Sequence, residues 1–188
     1  MIIYFIRHGE TEWNKEGRIQ GHRDSPLTEK GEEMARKIGA WFRDKDVQII
    51  YTSDLGRCVQ TSEIVNDFLK VDLVAAPELR ERDFGDLNGR KNEEVGKALD
   101  LSSPDEIAPS GESFNQMKER VLSFIRNLQP KSFGTILLVL HEGGTRAILS
   151  EHSGENFDSH ICSTPKGFVY RMELENGNFN KLEKFKPM

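Results

Sequence analysis

Apolar residues fall along this chain in short blocks that alternate between strand-like and helix-like spacing. Within Met1 to Arg7, Ile2 to Ile6 is an unbroken β-prone apolar run. It reads as a buried strand that breaks at Gly9. From Thr28 to about Phe42, the residues Met34, Ile38, Trp41 and Phe42 share one helical face. Val47 to Tyr51 predicts a second strand, and Ser53 is placed to N-cap a helix running to about Leu69. Val71 to Ala76 predicts a third strand, stopped by Pro77.

Residues 78–112 lose this periodicity and carry Gly85, Gly89, Gly96, Pro104, Pro109 and Gly111, which predicts loops with one short helix. Ser113 and Gln116 form a capping box for a helix whose apolar face is Phe114, Met117, Val121, Phe124, Ile125 and Leu128. Ile136 to Leu140 is another buried strand, ending at His141, and Gly143 and Gly144 lead into a short helix through Arg146 and Leu149. Phe168 to Leu174 and Phe179 to Phe185, joined through Asn176-Gly177, predict a C-terminal hairpin. Alternating strands and helices predict an α/β fold, a three-layer α/β/α sandwich with a mostly parallel central sheet. Residues 1–188 show no internal repeat, linker or low-complexity tract and read as a single domain.

Composition narrows the function classes. With 36% hydrophobic and 30% charged residues, the chain reads as soluble and globular. The Ile2 to Ile6 run is too short for a signal peptide and lacks a basic leader, and no stretch approaches the ~20 apolar residues of a membrane span. The two cysteines, Cys58 and Cys162, make no disulfide framework, so a cytoplasmic location is expected. A formal net charge of -5 argues against nonspecific nucleic-acid binding but leaves room for a local anion site.

Two segments look alike: Ile2 to Gly9 and Ile136 to Gly143 each run from a buried strand into a histidine and then a glycine-bearing break. Sites in open α/β sheets form beyond the carboxyl ends of the strands, so neighbouring strands would bring His8 and His141 face to face. The ordinary alternative is a histidine that satisfies local hydrogen bonds, and the pairing weakens it. Arg7, ending a buried strand, must find a carboxylate or a phosphate. Arg57, in the first turn of the next helix, would join it in a phosphate cradle, unless it merely pairs with Asp54 or Glu81.

Arg7-His8-Gly9-Glu10-Thr11 followed by Asn14 resembles the signature of the histidine phosphatase (phosphoglycerate-mutase-like) superfamily. Companion blocks follow in order: Gly21, Ser25 to Gly31, Thr52 to Arg57 with Thr61, Leu79-Arg80-Glu81 before Phe84-Gly85, Gly111-Glu112-Ser113, and His141. The resemblance spans nearly the whole chain and implies that His8 attacks phosphorus to become phosphohistidine. It implies that Arg7, Arg57 and His141 bind the phosphoryl oxygens with Asn14 adding a donor, and that Glu81 is the general acid and then base. Gln20, Gly21 and Glu142 are expected at the substrate, with no metal and no cofactor.

A neutral imidazole is a competent nucleophile near neutral pH, and a phosphoryl transition state asks mostly for positioning and cationic clamps. Glu81 is expected to have a raised pKa, from burial or a nearby phosphate, to act as an acid. Glu10 is a rival for that role. His22, His152 and His160 are read as surface or structural, and Glu112 as support for the helix that follows it.

Two departures from the family pattern stand out. Glu142 occupies the place of the glycine that usually follows the second histidine, where it would repel phosphate unless turned away or paired with a cation such as Arg146. Leu87 replaces a frequent aromatic. The family's mutases carry a longer, basic insertion, whereas the variable lid here, about residues 88–112, holds Glu93, Glu94, Asp100, Asp105, Glu106 and Glu112 against Lys91 and Lys97. Phosphatase is therefore favoured over cofactor-dependent phosphoglycerate mutase. The expected partner is a small phosphorylated metabolite: a phosphoglycerate, phosphoserine, a sugar phosphate or α-ribazole phosphate. Neither nucleic acid nor membrane is expected, and a homodimer is left open. Other classes are a metal held by His8, His141 and Glu81, which Arg7 and Arg57 would oppose, and a phospho-ligand binder without turnover.

Overall fold

A computed structural model describes residues 1–128, 133–154 and 164–188. His160 and Cys162 lie outside the described residues. Among the described residues, six strands, β1 (Ile2–Arg7), β2 (Ile49–Thr52), β3 (Asp72–Ala75), β4 (Thr135–Leu140), β5 (Val169–Glu175) and β6 (Asn178–Phe185), form one sheet ordered β3-β2-β4-β1-β5-β6. The first four run parallel, because their connections are long enough to cross over through helices. β5 returns antiparallel to β1, and β6 pairs with it across Asn176-Gly177.

The central strands β1 and β4 are apolar on both faces because both are covered. Ile3, Phe5, Leu138 and Leu140 pack with Met117, Val121 and Ile125 of α5 (Phe114–Asn127) and with Ala147 and Ile148 of α6 (Glu142–Ser153). Tyr4, Ile6, Leu137 and Val139 pack with Ala35, Ile38 and Phe42 of α2 (Glu29–Phe42) and with Cys58 and Val65 of α3 (Gly56–Leu69). The result is the three-layer α/β/α sandwich. Residues 84–112 form a smaller cap, in which Val95 of α4 (Asn92–Ala98) meets Leu99 and Ala108 over Phe84 and Leu87.

Helix starts follow local chemistry where a cap is present. Thr28 caps α2, and Ser113 with Gln116 closes a capping box on α5. Ser53 does not cap α3. Leu55 stands at that position with no side-chain bond, and the free N–H groups of Gly56 and Arg57 donate to the Asp24 carboxylate at 2.7 and 3.3 Å. An acid from a distant loop replaces the local cap, which frees Ser53 for another partner. α6 begins directly after His141, earlier than the glycine pair suggested, and runs on to Ser153.

The loop after β1 lies main chain to main chain on the first turn of α2. A Cβ at Gly31 would sit 2.2 Å from the Glu10 carbonyl oxygen, too close for any side chain. Gly31→Ala should therefore destabilise the fold by about 1–3 kcal/mol and shift the loop that follows His8. Urea denaturation checks the first effect, and an unchanged midpoint would show that the helix start yields freely.

Candidate active site

Parallel pairing of β1 with β4 sets Arg7 opposite Leu140, and the His8 N–H donates to the Leu140 carbonyl at 2.9 Å. His8 and His141 consequently emerge side by side, their ring centroids 5.3 Å apart. Both are buried. His8 Nδ1 lies 2.7 Å from the Gly9 carbonyl oxygen. A carbonyl can only accept, so Nδ1 carries the proton and Nε2 keeps the lone pair. Burial holds both imidazoles well below their usual pKa of 6.5, and nearby cations push the same way: Lys166, Arg57 and Arg7 act on both. They are neutral at physiological pH.

His8 opens onto a cleft of about 460 Å³. Arg7, Asn14, Gln20, Gly21, Arg57, Glu81 and Glu142 all line it, so the structure brings these expected residues to one place. His141, expected at the phosphoryl oxygens, lies beside His8 with no exposed surface and outside the cleft lining, its Nε2 2.8 Å from Ser53 Oγ and 3.3 Å from Cys58 Sγ. Ser53 is thus a neighbour of the second histidine rather than a helix cap.

Arg57 is buried to 1% exposure, and three acceptors fix its fork. Nη1 donates to the Asp24 carboxylate and the Arg23 carbonyl, at 2.9 and 2.8 Å, and Nη2 to the Gly21 carbonyl at 2.8 Å. Its acid is Asp24, while Asp54 is engaged by Arg80 at 2.7 and 2.5 Å. Gly21 adopts a φ of +51°, and a Cβ there would fall 1.8 Å from Asn88 Oδ1, so glycine alone fits where the main chain meets Arg57. Arg7 bonds the Thr164 carbonyl through Nη1 and the Glu142 carboxylate through Nη2 at 2.9 Å. The Nε groups of Arg7 and Arg57, and Gln20 Oε1, are buried with no partner among the described residues. A buried guanidinium donor without a partner is costly in isolation, and both of these arginines also line the cleft.

Asn14 completes a capping box with Thr11 at the start of α1 (Glu12–Lys15). Its Oδ1 accepts from the Thr11 N–H at 3.1 Å, which commits its NH₂ group to donating elsewhere. Thr61 ties the Gly9 N–H to α3, at 3.0 Å. The Glu81 carboxylate accepts from the main-chain N–H of Arg82 at 2.9 Å and of Gly143 at 3.2 Å, which seats it at the start of α6. Its loop is clamped from several sides. His22 lies 2.9 Å from the Glu81 carbonyl, and Arg82 donates to the Glu112 carbonyl at 3.0 Å. Glu112 pairs with Arg120 and accepts from the Asp83 N–H at 3.0 Å, so it braces this loop while Ser113 and Gln116 close the helix start. His152 is likewise structural, 2.8 Å from the Phe179 carbonyl. Glu10 turns to Lys30 and Thr28, at 3.0 and 3.2 Å, and that bonding holds its carboxyl below the usual range. It is poorly placed to be the acid.

Sequence reasoning missed Asp24, Thr164 and Lys166, none of which belongs to a legible motif. It also missed the apolar wall of Ile19, Phe84, Leu101 and Phe114. Glu142 pairs with Arg7, a partner not foreseen. Among the described residues, no group of three or more His, Cys, Asp or Glu side chains is arranged to hold a metal ion. Within the same residues no helix is long and apolar enough to cross a membrane.

Residues 3–184 match the model of the histidine phosphatase superfamily (branch 1). A Cronobacter sakazakii protein named "Probable phosphoglycerate mutase GpmB" is 43% identical over 96% of this chain and 84% of its own. The Bacillus subtilis "Uncharacterized phosphatase PhoE" is 35% identical over 81% of this chain and 77% of its own. The crystal structure of the α-ribazole phosphatase from Shigella flexneri superposes with a TM-score of 0.85 at 26% identity, covering 96% of this chain and 94% of that one.

Two expectations follow. The imidazoles of His8 and His141 have pKa values near 6.5 when unfolded and well below it when folded, so between those values the unfolded chain binds more protons. Stability should be intact above pH 6.5 and fall below it, by up to about 1.4 kcal/mol per pH unit for each ring. Denaturation midpoints at pH 7.5 and 5.5 read this, and His8→Asn should flatten the slope. Glu142 occupies Arg7 and would compete with an anion for it, and half-exposed ion pairs are worth at most about 1 kcal/mol. Glu142→Gln should strengthen inorganic phosphate or vanadate binding up to about fivefold; unchanged affinity would show that its charge does not reach the site.

Proposed function

We propose that this chain, which belongs to the histidine phosphatase superfamily (branch 1), hydrolyses the phosphomonoester of a small cytoplasmic metabolite through a phosphohistidine on His8, without a metal. One observation carries the reading. The Gly9 carbonyl pins the proton of His8 on Nδ1, leaving Nε2 with a lone pair at a cleft that Arg7 and Arg57 both line.

In the first step Nε2 attacks phosphorus, the bond from phosphorus to the ester oxygen breaks, and protonated Glu81 gives its proton to that oxygen. Arg7 and Arg57 neutralise charge spread over the equatorial oxygens, with the Asn14 NH₂ as a further donor. His141 packs beside the nucleophile, ring centroids 5.3 Å apart, with its own Nε2 held 2.8 Å from Ser53 Oγ. In the second step Glu81 takes a proton from water, the oxygen attacks phosphohistidine, and phosphate leaves with the His8 lone pair restored.

What favours water over a second phosphorylated acceptor is the far end of the cleft. Arg18 is engaged by Glu16 at 2.6 Å and by the Gly89 carbonyl at 3.0 Å, and Arg82 by the carbonyls of Glu112 and Glu106. The apolar wall of Ile19, Phe84, Leu101 and Phe114 suits a leaving group with carbon surface better than a bisphosphate. The mutase reading draws on the GpmB relatives, whose name carries that activity.

The deciding experiment offers a panel of phosphometabolites in the presence of a chelator. Phosphate release and phosphoryl transfer to acceptor are measured together, and labelled protein is trapped. Acid-labile label should appear on the wild type and vanish in His8→Ala, with kcat reduced at least about 10³-fold. Transfer without release would make the enzyme a mutase, and absence of both label and turnover would leave a binding module.

A further inference from the structure

Lys166 enters from the segment that leads into β5, where no motif marks it. The same segment grips Arg7 through the Thr164 carbonyl and Oγ1. The Lys166 Nζ donates to the main-chain carbonyl of His8 at 3.3 Å, putting an amine at the backbone of the nucleophile. The groups that face it come from three elements: Arg7 and His8 at the end of β1, Arg57 and Cys58 in the first turn of α3, and His141 and Glu142 at the start of α6. Desolvation, with Arg7 repelling, pushes the Lys166 amine down to about 7, while Glu142 pulls the other way. A positive charge there is disfavoured by two guanidinium groups while the cleft holds no anion. An oxyanion against Arg7 and Arg57 reverses the sign of the local potential.

We propose that Lys166 is a positioning residue of adjustable charge, which takes up a proton from solvent when an oxyanion occupies the cleft and so adds a cation beside His8 when there is negative charge to balance. The amine acts through the His8 main chain rather than on substrate, and it donates to the His8 carbonyl in both protonation states. It therefore holds the nucleophile throughout and contributes charge in the occupied state. This rests on the reading of the cleft as a phosphoryl site.

Tungstate separates the two claims, because it carries no proton that titrates near pH 8. Calorimetric titration of the full-length protein at pH 8, in buffers of different ionisation enthalpy, counts protons taken up per bound tungstate. The wild type should take up close to about one. Lys166→Met should take up none and bind about tenfold more weakly. Lys166→Arg, which is charged throughout, should also take up none but bind close to wild type. That contrast is one a purely structural lysine would not produce, and circular dichroism confirms that both variants are folded. If Lys166→Met does not fold, the Lys166→Arg arm still decides: loss of proton uptake with affinity retained supports the proposal. Uptake persisting in either variant would assign the proton to Glu81, His8 or His141 and overturn it, as would absence of uptake by the wild type. Failure of the wild type to bind tungstate at all would instead overturn the phosphoryl-site reading.

Discussion

The parallel ladder between β1 and β4 is the constraint on which the rest of the molecule depends. Six residue pairs, from Ile2 with Thr135 to Arg7 with Leu140, fix the register. Both strands are buried on both faces, so a slip by one residue would exchange Phe5 and Ile6 between the two halves of the core. That register brings two histidines to the same height at the carboxyl end of the sheet. The crossovers that make parallel pairing possible deliver the first turns of α3 and α6 to the same rim, carrying Arg57 and Glu142. Two central strands thus account for most of the site before any loop is considered.

Electrostatics at that rim follow from burial. Removing water from the two imidazoles keeps them neutral, and the cations gathered at the same rim reinforce the effect. The guanidinium groups tolerate burial because their forks are fixed by carbonyls of Arg23, Gly21 and Thr164 and by two carboxylates, Asp24 and Glu142. Each fork nevertheless leaves Nε unbonded. Glu142 fits the same logic: it neutralises Arg7 from the solvent side and takes the place of a glycine common in the family.

Much of the fold was legible because its signals are local. Apolar runs at Ile2 to Ile6 and Ile136 to Leu140, helical spacing from Phe114 to Ile125, and Asn176-Gly177 in the hairpin all report short-range preferences, and they formed the elements expected. The misreadings came where a distant residue replaced a local one. Ser53 looked like a cap because serines cap helices, yet the Asp24 carboxylate, more than 30 positions earlier in the chain, reaches the same N–H groups. Glu112, read as support for the helix that follows it, reaches Arg120 on that helix and also the distant Asp83 N–H.

The candidate chemistry divides in the same way. By itself the sequence determined which side chains gather at the site, because Arg7-His8-Gly9, Arg57, Glu81 and His141 stand at strand ends or in ordered motifs, and strand ends converge in an α/β sheet. Tertiary structure alone decided what each can do. It set the tautomer of His8 through the Gly9 carbonyl, the acid that holds Arg57, the pairing of Glu142 with Arg7 and the bond from Lys166 to the His8 carbonyl. Protonation and hydrogen-bond direction depend on desolvation and on partners far apart in the chain, and no local pattern of residues carries that information.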